Sequence, residues 1–467
     1  LCTLDITAHY TLNKATNGSL FLDTRDLTIK RIQTDGASLD WKKDQDDPIL
    51  GQRLHIKGLK NTSQFTIELT TSPDASALQW ATPAQTAGKE YPLLYTQCQA
   101  IHARSVFPCQ DSPSVRFTFN AEMVVANTLV AVMGAEKTGM AEEGGKTRYS
   151  FAMNQPIPSY LFALAVGNLE FREFGPRSGV YAEPEIIEES AWEFAENEEK
   201  LTVAESLLGP YRWDRYDILV LPPSFPYGGM ENPRLTFLTA SYLLGDRSST
   251  NIISHELAHA WTGNLITNAT WEDFWLNEGW TTYAEYRITE ALEGVETYRL
   301  LRKVLLVELL TDVERLGADS ERTSLKSNQK GLNPDDSFTI IPYAKGAAFL
   351  IALENVVGRK KFESALYNQV EDALKAYTNG PRPSAEETKG WNARQKFIFM
   401  RSLPETISLE DCAYFEALFD IKETKNTTTR NAFYLIAVRS GYQDALQRIE
   451  DHVCKIGAMY SLSLLFR

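Results

Sequence analysis

The sequence predicts a multidomain protein, with a β-rich N-terminal domain, then an α+β domain, then a small α-helical domain. Three observations carry that expectation. A chain of 467 residues, 43% apolar and 23% charged, is too long for one ordinary core and too apolar to stay disordered. Its first third is punctuated by Gly, Asn, Asp and Pro at strand spacing. Beyond Pro184 the apolar residues recur at helical spacing instead.

Taken in order, β-formers alternate or cluster at residues 4–12, 53–56, 65–70, 116–119 and 149–153, which predicts the short strands of a sandwich-like domain over residues 1–169. Residues 188–208 predict one helix that stops at Gly209-Pro210, and residues 217–221 a strand. Two helices follow. The first covers residues 249–263 with Ser or Thr at its N-cap, and the second covers 277–292 with Asn277 as the cap and Gly294 as the stop. These elements form an α+β domain over residues 170–378. Residues 378–389 are polar and rich in breakers, a linker into a C-terminal domain (379–467) whose segments 431–440 and 442–456 predict short amphipathic helices.

The formal charge is −14, with no basic cluster or basic-aromatic stripe, which argues against a nucleic-acid partner. No run reaches the ~18 consecutive apolar residues of a bilayer span. The most apolar window, residues 160–166, is short enough for a buried strand. Five cysteines (Cys2, Cys98, Cys109, Cys412 and Cys454) are odd in number and lack zinc-site spacing, so reduced thiols and a cytoplasmic location are expected.

His255-Glu256-Leu257-Ala258-His259 sets two imidazoles four residues apart, on one helix face and one turn apart, where both reach a single metal ion. Catalytic zinc takes three protein ligands and keeps one position open, so a third ligand must come from elsewhere. Glu278 supplies it, nineteen residues beyond His259, with enough chain between them to turn back and start a second helix. Glu256 lies beside the ligand face and is suited to taking a proton from water at the metal. The alternative, two satisfied core histidines and a solvated glutamate, requires chance to assemble the motif from only six histidines. One Zn2+ per chain is the expected cofactor.

Tyr227-Gly228-Gly229-Met230-Glu231 precedes the first of these helices, and paired glycines in an extended segment let another backbone lie close. A peptide along them would bring its amino end to Glu231, whose carboxylate can pair with an α-ammonium group. In isolation the same residues are better read as a Gly-Gly turn with a surface glutamate.

Gly228-Gly229-Met230-Glu231-Asn232, the His255 to His259 motif and Trp275-Leu276-Asn277-Glu278-Gly279 together resemble the signature set of the zinc aminopeptidases that include aminopeptidase N, aminopeptidase B and leukotriene A(4) hydrolase. The likeness is greatest to the leukotriene A(4) hydrolase branch and its microbial aminopeptidase relatives. Gln97-Cys98-Gln99-Ala100-Ile101-His102, Phe107-Pro108-Cys109-Gln110-Asp111 and residues 219–232 carry it, and it is strong as far as Tyr367. The resemblance implies a thermolysin-like fold for the α+β domain and removal of the N-terminal residue from short peptides with a free amine. It implies that Glu231 and Gln99 bind that amine and that Gly228-Gly229 binds the substrate main chain, with Tyr227 and Met230 in the same substrate-binding segment. It also implies that Tyr343 hydrogen-bonds the oxyanion and that Asp335 is a substrate-pocket carboxylate. Short peptides are the expected partners of a monomeric chain.

Departures from the family pattern bear on function. Residues 13–19 join two strands that the family separates by more chain, and the region after Tyr367 is shortened ahead of the helical domain. Ala458 and Tyr460 stand where the leukotriene A(4) hydrolase branch has two cations for a substrate carboxylate, which predicts little preference for free-acid peptides. Phe338 replaces a pocket tyrosine. The rival functions are a lipid epoxide hydrolase, favoured by Asp335 and opposed by Ala458 and Tyr460, and a catalytically impaired peptide-binding relative, favoured by the shortened region.

Overall fold

The computed structural model describes residues 2–359, 362, 382–391, 396, 399–400, 403–404, 406–424 and 427–450. Its β-rich region opens with a long ribbon in which strand Asp5–Thr24 pairs antiparallel with strand Gln52–Thr70. The sequence predicts two separate strands at 53–56 and 65–70, but the structure has one. Gly58 and Asn61, at φ 72° and 48°, are taken up as local irregularities of the strand instead of ending it. The partner strand slips in register between Thr11 and Ser19, and residues 13–19 stay inside it with no intervening loop. One face of the ribbon buries Leu54, Ile56, Phe65, Ile67 and Leu69 against Leu22, Ile29 and Ile32.

Two further sheets follow. A three-stranded one has the order Glu136–Glu143, Lys146–Pro158, Arg116–Ala126, and a four-stranded one Leu78–Ala81, Leu93–Thr96, Leu164–Gly167, Val130–Met133. The second is buried in a core that continues without a break through Val180, Ile218 and Phe237 to Ile253 and Leu257. The β-rich and α+β regions therefore share one apolar interior, and Leu1–Ile351 forms one compact unit, with Ala352–Arg467 the other.

The α+β region is built on a five-stranded sheet ordered Glu170–Gly175, Ser178–Ala182, Asp217–Leu221, Leu235–Thr239, Gly229–Met230, parallel in its middle and antiparallel at both edges. The expected helix at 188–208 is two helices, Ile187–Glu193 and Asn197–Leu208. The break buries Phe194 and turns the Glu193 carboxylate inward to accept the Gly245 and Arg247 N–H groups, while Asn197 donates to the Tyr216 carbonyl. Gly209, at φ 91°, ends the second helix as expected.

Helix Ile340–Val357 has the length and apolar character of a membrane span. Its first half nevertheless packs as a core helix does, with Ile341, Ala344 and Ala347 against Tyr286, Tyr298 and Leu305. In the second unit, helices Leu409–Leu418 and Thr427–Arg439 enclose an aromatic core that includes Phe399, Phe415, Phe419 and Phe433. The second of these covers most of the expected 431–440 segment. Residues 446–450 are helical, and 451–456 lie outside the described residues. Of the expected linker, residues 382–389 form turns and irregular chain and 378–381 lie outside the described residues.

Candidate metal and peptide site

The helix carrying His255 runs Asn251–Ala258, shorter than the expected 249–263. His259 is its C-cap residue, and the chain then turns tightly, Gly263 N–H bonding the Ile266 carbonyl and Asn264 N–H the His259 carbonyl. Thr250 stands at the N-cap without a side-chain capping bond. The helix carrying Glu278 runs Trp275–Glu293, so Asn277 lies inside its first turn and is not the cap. Asn277 instead accepts the Asn268 N–H at 2.9 Å and donates to the Tyr160 hydroxyl at 3.3 Å.

These helices bring the three candidate ligands together. Glu278 Oε2 lies 3.4 Å from His255 Nε2 and 3.4 Å from His259 Nε2. Bonds of about 2.1 Å to a tetrahedral ion put neighbouring ligand atoms about 3.4 Å apart, so the spacing suits a single zinc. Glu278 Oε2 is buried with no hydrogen-bond partner, and an ion would supply what it lacks.

The far ring nitrogens are also held. His255 Nδ1 faces Glu285 Oε2 at 3.0 Å, and the other Glu285 oxygen accepts from Asn251 at 2.9 Å. His259 Nδ1 faces the Thr262 carbonyl at 3.0 Å and the Thr281 hydroxyl at 3.1 Å. Protons on both Nδ1 atoms leave the Nε2 lone pairs aimed at the Glu278 side. Sequence reasoning missed Glu285, Asn251, Thr262 and Thr281. The one available signal was Glu285, two helical turns past Glu278 and on the same face.

Electrostatics favour a cation here. Burial works to lower the pKa of both histidines, but Glu278 and Glu285 push His255 well up, and Glu231 and Glu278 push His259 up to about 9. Burial works to raise Glu278, and the two imidazoles overcome it and hold the carboxyl down at about 2. A chamber that would keep two imidazoles protonated offers the same field to a dication. Glu256 is raised to about 8 by burial, with His255 and His259 opposing.

The Gly229–Met230 strand pairs with Leu238 and Phe237 at the edge of its sheet, and its other edge has no strand partner among the described residues. A Cβ on Gly229 would lie 2.3 Å from Glu256 Oε1, and one on Gly228 2.9 Å from the Tyr242 hydroxyl. The close approach that the sequence assigns to a substrate backbone is thus already made by the protein's own side chains. Glu231 is buried, unlike the surface glutamate of a simple turn. Its Oε1 has no partner, nor has the buried Gln99 Nε2. Gln97, two residues before Gln99, donates to the Met230 sulfur at 3.1 Å.

Tyr343 stacks near His255, ring centres 6.0 Å apart. Burial, then Glu278, Glu231 and Glu256, raise its pKa far enough that it stays a donor. One turn on, Gly346 meets Gly279, and a Cβ on either would be 2.8 Å from the other's Cα, so the Tyr343 helix crosses the Glu278 helix in close backbone contact. Asp335 lies in a short turn, Pro334–Ser337, capped by Asn333. Phe338 packs on Phe274 at 4.9 Å and near Tyr227 at 6.3 Å. Ala458 and Tyr460 lie outside the described residues.

Comparison with known proteins matches three stretches in order. Residues 3–161 match the peptidase M1 N-terminal domain, 192–380 the peptidase family M1 domain, and 391–467 the leukotriene A4 hydrolase C-terminal region. A leucine aminopeptidase 2 of Pyricularia oryzae is 35% identical over 520 residues, covering 96% of this chain and 85% of that protein. The chain belongs to peptidase family M1. A leukotriene A-4 hydrolase of Xenopus laevis is 47% identical over 348 residues, which cover 73% of this chain and 57% of that one. Among solved structures, a leukotriene A4 hydrolase of Saccharomyces cerevisiae superposes with a TM-score of 0.71 at 28% identity, covering 99% of this chain and 88% of that one. Membership makes the chain a hydrolase of the zinc aminopeptidase type, with the β-rich, catalytic and helical domains in that order. The alignment of 520 residues exceeds the 467 of this chain, so the fungal M1 relative carries internal segments that this one lacks.

Proposed function

We propose that His255, His259 and Glu278 hold one zinc ion and that this M1 enzyme removes the N-terminal residue from short peptides whose free amine is read by Glu231 and Gln99. The observation that carries this is the convergence of His255, His259 and Glu278 ligand atoms beside a buried Glu231 whose Oε1 has no partner. When bound, zinc supplies Lewis acidity toward water and the substrate carbonyl. Glu256 takes the proton that water gives up on attack and returns it to the departing amine. Tyr343 keeps its own proton and donates to the carbonyl oxygen as that atom becomes negative. The free edge of Gly228-Gly229-Met230 offers main-chain groups to an extended peptide, with Tyr227 at its start. Asp335 adds a negative charge to the pocket wall. It is also the residue that supports a second reading as a lipid epoxide hydrolase. The free Cys2, Cys98, Cys109 and Cys412 support a reducing, cytoplasmic setting. We further propose a monomer.

A buried carboxylate that reads an amine by charge should refuse a blocked one. The test compares cleavage of one peptide, free and N-acetylated, by protein of measured zinc content. Cleavage of the free form alone, with one zinc per chain, is expected. Equal cleavage of both would make Glu231 a structural residue.

A further inference from the structure

His102 is absorbed by none of these roles, yet it is fixed at both ring nitrogens. Its Nε2 faces Asp335 Oδ2 at 2.8 Å and its Nδ1 faces the Ser76 hydroxyl at 2.9 Å. The other Asp335 oxygen accepts the Ala100 N–H at 3.3 Å. The scaffold behind the ring is rigid, because the buried Ser105 hydroxyl accepts the Ala77 N–H at 3.0 Å and donates to the His102 carbonyl at 2.8 Å, tying the residue after Ser76 to His102. An ionised carboxylate only accepts, so the nitrogen that meets it carries a proton, and Ser76 is left to satisfy Nδ1.

We infer that Ser76 and His102 are a positioning pair that holds the Asp335 carboxylate oriented in the pocket wall, and so sets how the enzyme discriminates charged from neutral N-terminal side chains. The inference rests on the reading of Asp335 as a pocket residue. Asp335 keeps partial exposure, its side chain at 27% against 17% for His102, so the ring backs the carboxylate and leaves a face of it open. The titratable groups facing Asp335 are His102 and Tyr227. Burial works to raise the Asp335 pKa, and the hydrogen bond and charge of His102, with Ala100 N–H and Asn333, outweigh it and lower the value. A carboxylate held this way attracts a cationic side chain and does nothing for an aliphatic one.

The experiment measures kcat/KM for arginyl and leucyl amides at pH 7 on the whole chain with matched zinc content, for wild type, His102→Leu, His102→Gln and Asp335→Asn. The readout is the arginyl-to-leucyl ratio. His102→Leu should lower it about tenfold, because the carboxylate then loses the donor that fixes its orientation. Gln places an N–H where Nε2 was and should restore the ratio to within about threefold of wild type. A ratio unmoved in Asp335→Asn would sink the pocket reading of Asp335 and this inference with it. A ratio that falls in Asp335→Asn but not in His102→Leu would leave that reading standing and overturn the positioning pair, as would equal losses on both amides. Should His102→Leu not fold, Ser76→Ala decides: a drop of about threefold supports the pair, and an unmoved ratio rejects it.

Discussion

In the mechanism we propose, Glu256 and Tyr343 both handle a proton, and their surroundings divide the work. Tyr343 is deep among carboxylates and stays protonated, whereas Glu256 is raised to about 8 by burial, and a dication held beside it would return it toward its ionised form. In that reading neither residue holds the ion. Glu256→Gln should therefore keep its zinc and lose at least about a hundredfold in kcat. Tyr343→Phe should lose about a hundredfold or more with KM little changed. Steady-state kinetics with elemental analysis checks both, and near-normal kcat in either variant removes that residue from the chemistry. Glu256 was legible because it sits inside a local motif. Tyr343 was legible only through resemblance, since nothing in its neighbours announces that a residue 88 positions from His255 will stack beside it.

Between elements, the decisive contact is a crossing of two glycines. Gly279 follows Glu278 and Gly346 lies one turn past Tyr343, so their contact fixes the tyrosine relative to the metal site. Gly346→Ala would place a methyl 2.8 Å from the Gly279 Cα, and backbone cannot yield as a flexible side chain would. The variant should lose about 1–3 kcal/mol of stability and at least about tenfold in kcat while keeping its zinc. Denaturant titration with single-turnover kinetics measures both, and an unchanged kcat would show that Tyr343 tolerates the shift. The sequence carried Gly346 within its Tyr343 segment but gave no reason for it, because the reason is another helix. The same limit split the expected 188–208 helix: its spacing is helical throughout, and the need to bury Phe194 and aim Glu193 inward overrode it.

For the molecule as a whole, protons and the proposed zinc would compete for one chamber. In the metal-free fold His259 is raised to about 9, so it contributes stability that is fully present below its unfolded value of about 6.5 and lost as pH rises through about 9. Glu278, lowered to about 2, contributes stability present above its unfolded value of about 4.3 and lost as pH falls through about 2. Zinc needs both imidazoles neutral, so its binding at pH 7 should release about two protons, and its affinity should fall as pH is lowered. Calorimetric titration of chelator-treated protein in buffers of different ionisation enthalpy counts those protons. A count of zero would show that the imidazoles are already neutral at pH 7 before the ion binds.

The sequence by itself determined the order of β-rich, α+β and helical regions and singled out the three residues, His255, His259 and Glu278, that the fold brings together. Strand alternation, helical period and a four-residue histidine spacing are local properties that a chain carries whatever packs around it. Tertiary structure alone decided that the first two regions share one core, that Gly229 exists to admit Glu256, that Glu285 and Thr262 orient the imidazoles, and that Ser76 and His102 back Asp335. His102 and Asp335 are 233 residues apart. A contact over that separation leaves no period or spacing in the sequence, because it is fixed only when burial brings distant segments together and their polar atoms must find partners.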